Sequence, residues 1–132
     1  MTATVMATRT EAVPAPVHDA RVFQRLLQRA QHTPDPSQRW LLLEAAHVLG
    51  QTRLLPHVQT HARMLALAWH TRDGGEVVGQ LFRLLLVPLG HLTGRLPLGN
   101  AGRANISAFQ PMAVREDIAA LIAQVAQSAD GP

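Results

Sequence analysis

The chain has 132 residues, 47% of them apolar and 16% charged, with a net charge of +3 and no cysteine. That length allows one domain with a real core, and the apolar share argues against general disorder. Without cysteine there are no disulfides, no thiolate metal sites and no cysteine nucleophiles.

All twelve basic residues are Arg. Arg keeps its proton to very high pH, so the isoelectric point rises while the charge at pH 7 stays small. A dense basic patch of the kind nucleic-acid binders carry is missing, so nucleic acid is not expected as a partner. The longest apolar run, Leu84 to Leu89, is interrupted by Pro88 and is far short of the roughly 18 residues of a membrane span. Met1 to Pro16 lacks the apolar block of a signal peptide and is expected to be a disordered tail, with the cytoplasm as the compartment.

A single helical domain is expected over 17–127. Val22, Phe23, Leu26, Leu27 and Ala30 recur at helical spacing and predict a first helix over Val17 to Gln31. Arg21, Arg25 and Arg29 form a row on its other side, which is a solvated face or a site for an acidic partner. Thr33-Pro34-Asp35-Pro36 then stops one helix and starts the next. Asp35 is placed to cap, with Pro36 at the first helical position, where its missing N–H costs little.

The second helix is expected from Ser37 to Leu49, closed by Gly50, and the third from Pro56 to Arg72. Asp73-Gly74-Gly75-Glu76 has capping-box spacing and opens a fourth helix, which Pro88 bends or ends near Val87. Gly90 to Pro111 is rich in Gly, Pro and Asn and predicts no regular element. About 20 residues is long for a connector, so this stretch is expected to pack or bind something. A fifth helix follows over Val114 to Gln127, with Ile118, Leu121, Ile122 and Val125 as its buried stripe, and Ser128 to Pro132 is expected to fray into disorder. Short connections between helices predict an all-α bundle of two antiparallel hairpins, a glycine-rich loop and a C-terminal helix.

The polar residues draw more notice than the core. Seven histidines are present, four of them between positions 47 and 70. Glu44 and His47 stand three apart on the second helix, on one stripe with Trp40 and Gln51. His57 and His61 stand four apart on the third helix, a spacing that lets two imidazoles chelate one ion, and His70 projects away from them. Glu76, Gln80 and Arg83 form a polar stripe on an otherwise apolar fourth helix.

Glu44, His47, His57, His61 and Glu76 are therefore candidate ligands for a transition metal, the His/carboxylate mixture suiting Zn, Fe, Mn, Ni or Cu(II). Two other readings stand beside this one. The same residues form a buried hydrogen-bonded network with Arg83, or they are scattered over the surface. No second Glu-x-x-His is present to complete a di-iron pattern, and the His-Glu-x-x-His of zinc proteases is missing. Nothing in the sequence marks a substrate pocket or a reaction. His91, after Gly90, is placed to orient the glycine-rich stretch. That stretch, with Arg95, Asn100 and Arg103, is a loop laid across the bundle or a cradle for an anion.

The runs Ala46-His-Val-Leu-Gly-Gln51, Pro56-His-Val-Gln-Thr-His61 and Pro88-Leu-Gly-His-Leu-Thr-Gly-Arg-Leu-Pro-Leu-Gly-Asn100 together resemble a small family of bacterial proteins of unknown function. The resemblance covers roughly residues 20–118. It implies that the three runs belong to one fold, and it assigns no residue a role. Two functions follow from the residues. One is a metal-binding helical protein. The other is a non-enzymatic interaction module, with a protein partner or a second copy, whose polar cluster is structural.

Overall fold

The computed structural model describes residues 16–108 and 111–129. The expected N-terminal tail lies outside these residues up to position 15, as does the expected fraying end from position 130. Five α-helices, and no strand among the described residues, make a small all-α bundle: α1 (Ala20–His32), α2 (Pro36–Gly50), α3 (Leu54–His70), α4 (Gly74–Thr93) and α5 (Glu116–Ala129). None is long and apolar enough to cross a membrane.

Local chemistry sets the helix starts. Asp19 accepts from the Arg21 and Val22 N–H groups, so α1 begins at Ala20, three positions after the start expected at Val17. Asp35 caps α2 through the Gln38 N–H, with Pro36 at its first position, as its sequence context predicts. α3 starts two residues before Pro56, which sits in a first turn whose N–H groups have no helical partner anyway. Asp73 caps α4 through the Glu76 N–H at 3.2 Å. Glu76 does not complete a capping box, because its carboxylate is drawn into the bundle by other donors.

α2 is the central element. From Leu42 to Gly50 every residue is buried, and the helix packs on α1, α3 and α5. A helix enclosed on all sides loses the one-sided pattern of a surface helix. α1 supplies Val22, Phe23, Leu26, Leu27 and Ala30 to the core, and α5 supplies Ile118, Ile122 and Val125. Arg21 and Arg25 are exposed, and half-buried Arg29 donates to the Ser128 hydroxyl at 3.1 Å.

α4 departs most from expectation. It runs through Pro88 to Thr93 and ends on Gly94 in the left-handed conformation (φ 71°). The helical turn after Pro88 carries His91, which bonds a histidine of α3, and Thr93, whose hydroxyl donates back to the Leu89 carbonyl. These contacts offset the hydrogen bond that proline removes. The regular structure therefore reaches four residues into the stretch expected to be irregular. The sidedness of α4 is inverted as well: Glu76, Gln80, Arg83 and Val87 are its buried residues, while Val78, Leu81, Phe82, Leu85, Leu89 and Leu92 are exposed.

Candidate metal centre

α2 and α3 place His47, His57 and His61 in one buried cluster, each offering a ligand atom within 4.8 Å of the others. The His47 Nε2 lies 3.1 Å from the Nε2 of His57 and 3.1 Å from that of His61. The His47 ring meets both partners edge-on, at 70° and 72°. Three histidines this close can hold a metal ion. For zinc bonded to nitrogen at about 2.0–2.1 Å in tetrahedral geometry, neighbouring nitrogens stand about 3.3 Å apart. The observed spacing is within the tolerance of such a site.

The other ring nitrogens are held from outside. The His47 Nδ1 lies 2.6 Å from the Asn100 carbonyl oxygen, which can only accept. That bond places the His47 proton on Nδ1 and leaves Nε2 as a lone pair. The His61 Nδ1 lies 2.7 Å from the Gln80 Oε1. The Gln80 amide is oriented in turn, because its Nε2 donates to the Glu76 Oε2 at 3.1 Å and to the Gly102 carbonyl at 2.9 Å. His61 therefore also carries its proton on Nδ1. The His57 Nδ1 meets the Nε2 of half-buried His91 at 3.0 Å.

Burial keeps these imidazoles neutral. Loss of hydration is the main cause for all three. It holds His47 well below its ordinary value, helped by the neighbouring His61 and His57. It takes His57 to about 3, with His61 and His91 adding to the effect. It takes His61 to about 4, where the Gln80 hydrogen bond works against it. Folded values below the unfolded value near 6.5 mean that the unfolded chain binds more protons. In the metal-free protein, stability is full above pH 6.5 and is expected to fall as the pH drops toward 3–4. Each histidine contributes a slope of about 1.4 kcal/mol per pH unit in that window. Urea unfolding of metal-free protein at pH 7.5, 6, 5 and 4 measures it, and a flat profile from 7.5 to 5 contradicts the buried neutral triad.

Glu44 and Glu76 lie in a different cluster. Arg103 bridges them, Nε to the Glu76 Oε1 at 2.6 Å and Nη1 to the Glu44 Oε1 at 3.2 Å. Arg115 holds the other Glu44 oxygen at 2.8 Å, and the Ala104 N–H donates to Glu76. The Arg103 guanidinium also stacks over Trp40, 3.8 Å from the ring centroid. Of the five residues predicted to share a site, the structure brings the three histidines together. It gives the two carboxylates to arginines of the glycine-rich stretch and the α5 approach. Glu76 reaches the histidines indirectly, by orienting Gln80. His70 is exposed.

The glycine-rich stretch is a wall of the site. Asn100 folds on itself, its Oδ1 accepting from the Gly102 N–H at 2.9 Å and its Nδ2 donating to the Ser107 carbonyl at 2.7 Å. Gly102 has φ 86°, and a Cβ there would lie 2.8–2.9 Å from three atoms of the His47 ring. Only glycine lets this backbone lie flat against the imidazole. Asn100, Gly102 and His91 support the site without having been predicted to do so. A signal for His91 exists, since it lies eleven residues after Gln80 and so on the same helical stripe, provided the helix passes Pro88.

A cavity of about 260 Å³ adjoins the three histidines. Leu86, Val87, Leu89, Leu96, Pro97 and Ala108 form much of its wall, with Arg83, Thr93 and Arg95. Arg83 is buried and donates to the carbonyls of Gly79, Arg103 and Ile106.

Compared with known proteins, residues 18–122 match the sequence profile of the protein family of unknown function DUF3703. The chain belongs to that family. No curated protein and no solved structure matches it. The DUF3703 match contains all three histidines, His91 and the Asn100–Gly102 wall, so the whole site lies within the family's shared segment.

Proposed function

We propose that this DUF3703 protein binds one divalent transition-metal ion through the Nε2 atoms of His47, His57 and His61, with a further coordination position open to the adjoining cavity. One observation carries the reading. The Nε2 atoms of His47 and His61 are lone pairs, fixed as such by Asn100 and Gln80, and they stand 3.1 Å apart with no proton to share. Two buried acceptors aimed at each other repel unless a cation lies between them. That opposition of lone pairs supports a ligand role for His47 and His61 over a hydrogen bond between them.

His91 completes the pattern. With the His57 Nε2 on the ion, its Nδ1 carries the proton and donates to the His91 Nε2. All three ligand rings are then oriented by an outer acceptor, the usual arrangement around metal-bound histidine. Glu76 acts through Gln80, and Glu44 anchors Arg103 beside it. Imidazole ligands suit Zn, Cu, Fe or Ni. Three protein ligands with one open position mark a site that works on a bound molecule, in contrast to a closed structural site.

Elemental analysis of untagged protein tests this directly. The expected result is close to one equivalent of metal in the parent and none in the double substitution His57→Ala, His61→Ala. A parent that stays metal-free after dialysis against each of the four ions sinks the proposal.

A further inference from the structure

The cavity beside the histidines is larger than an ion needs. A single water's share of volume is about 30 Å³, whereas the space is about 260 Å³. Its walls are of two kinds. Leu86, Leu89 and Leu96 present hydrocarbon, and Arg83 and Arg95 present positive charge. No carboxylate among the described residues lines it. Glu76, whose charge acts on Arg83, is bound to Arg103, and among the described residues Arg83 donates only to carbonyl oxygens. One carboxylate shared between two arginines leaves net positive charge at the cavity wall, which favours an anion in the adjoining space.

We infer that the cavity takes a small organic acid, its carboxylate directed at the open metal position and the arginines, its apolar body lodged among Leu86, Leu89 and Leu96. This rests on the metal reading above. The apolar walls exclude a strongly hydrated ligand such as a free inorganic anion from most of the volume, since they offer it no hydrogen bonds. The two arginines and the metal charge exclude an amine. An acid with an aliphatic or aromatic body satisfies both parts of the wall at once.

Calorimetric titration of zinc-loaded protein with acetate, butyrate, hexanoate and hexylamine tests it, with zinc content measured on the same sample. Affinity is expected to rise from acetate to hexanoate by about three- to fourfold per added methylene, and hexylamine is expected not to bind. The substitution Leu86→Asp, which puts a negative charge on the apolar wall at a residue that is not one of the three histidines, is expected to weaken hexanoate at least tenfold with zinc content unchanged. Equal binding of acetate and hexanoate, no binding of either, or hexanoate binding indifferent to Leu86→Asp overturns the organic-acid site while the zinc content leaves the metal site standing. A sample that takes up no zinc overturns the metal site and this inference together.

Discussion

His47→Gln is expected to abolish the stabilisation that metal gives, while leaving the metal-free protein within about 1 kcal/mol of its parent. His47 is the ring common to both short nitrogen contacts, so its loss leaves at most two ligands. An ion supplied at a hundred times its dissociation constant stabilises the parent by about 2.7 kcal/mol. For a chain of this size that raises the melting temperature by roughly 10 °C. The variant is expected to show no such rise. The metal-free comparison separates this reading from a purely structural polar network. Removing one member of a satisfied buried network of neutral groups costs about 1–3 kcal/mol, whereas removing one of two opposed lone pairs relieves a repulsion. A metal-free variant that loses that much stability would assign His47 to the network.

The second large effect is expected at Gly102. Gly102→Ala forces a side chain into a left-handed backbone position, at a cost of about 1–2 kcal/mol. It also sets a methyl group 2.8–2.9 Å from the His47 ring. Neither the ring nor the loop yields without losing a partner. The imidazole is buried at 1% exposure, and the loop is tied to Gln80 through the Gly102 carbonyl. Whichever side moves, His47 loses its Asn100 acceptor or His61 loses an oriented Gln80. Loss of such orienting partners weakens metal binding about 10–100-fold. Competition with a chromogenic chelator measures it, and an affinity unchanged within twofold contradicts the role given to this loop.

Much of the fold was legible because its signals are local. Asp35-Pro36 and Asp73 mark helix starts through bonds that reach only three residues ahead, and the stripes of the first and fifth helices repeat at helical spacing. The three histidines were legible for the same reason: His57 and His61 share a helical face, and His47 lies on the stripe of Trp40 and Gln51. The glutamates were a different matter. Their partners, Arg103 and Arg115, come from residues far along the chain, and no spacing rule announces a contact of that kind. Pro88 misled in the opposite way. Its local preference predicts a helix end, but the tertiary contact of His91 with His57 keeps the next turn in place.

The inverted helix α4 has a consequence for anyone who engineers this protein. Hydrophobicity is ordinarily a guide to which positions are untouchable, and on this helix that guide points the wrong way. Its leucines at 85 and 92 are 75% and 82% exposed, so charged residues can be placed there to raise solubility at little thermodynamic cost. Its glutamate, glutamine and arginine are the positions to leave alone. A redesign protocol that protects greasy residues and freely edits polar ones would keep the outside of the helix and dismantle the support of the histidine cluster.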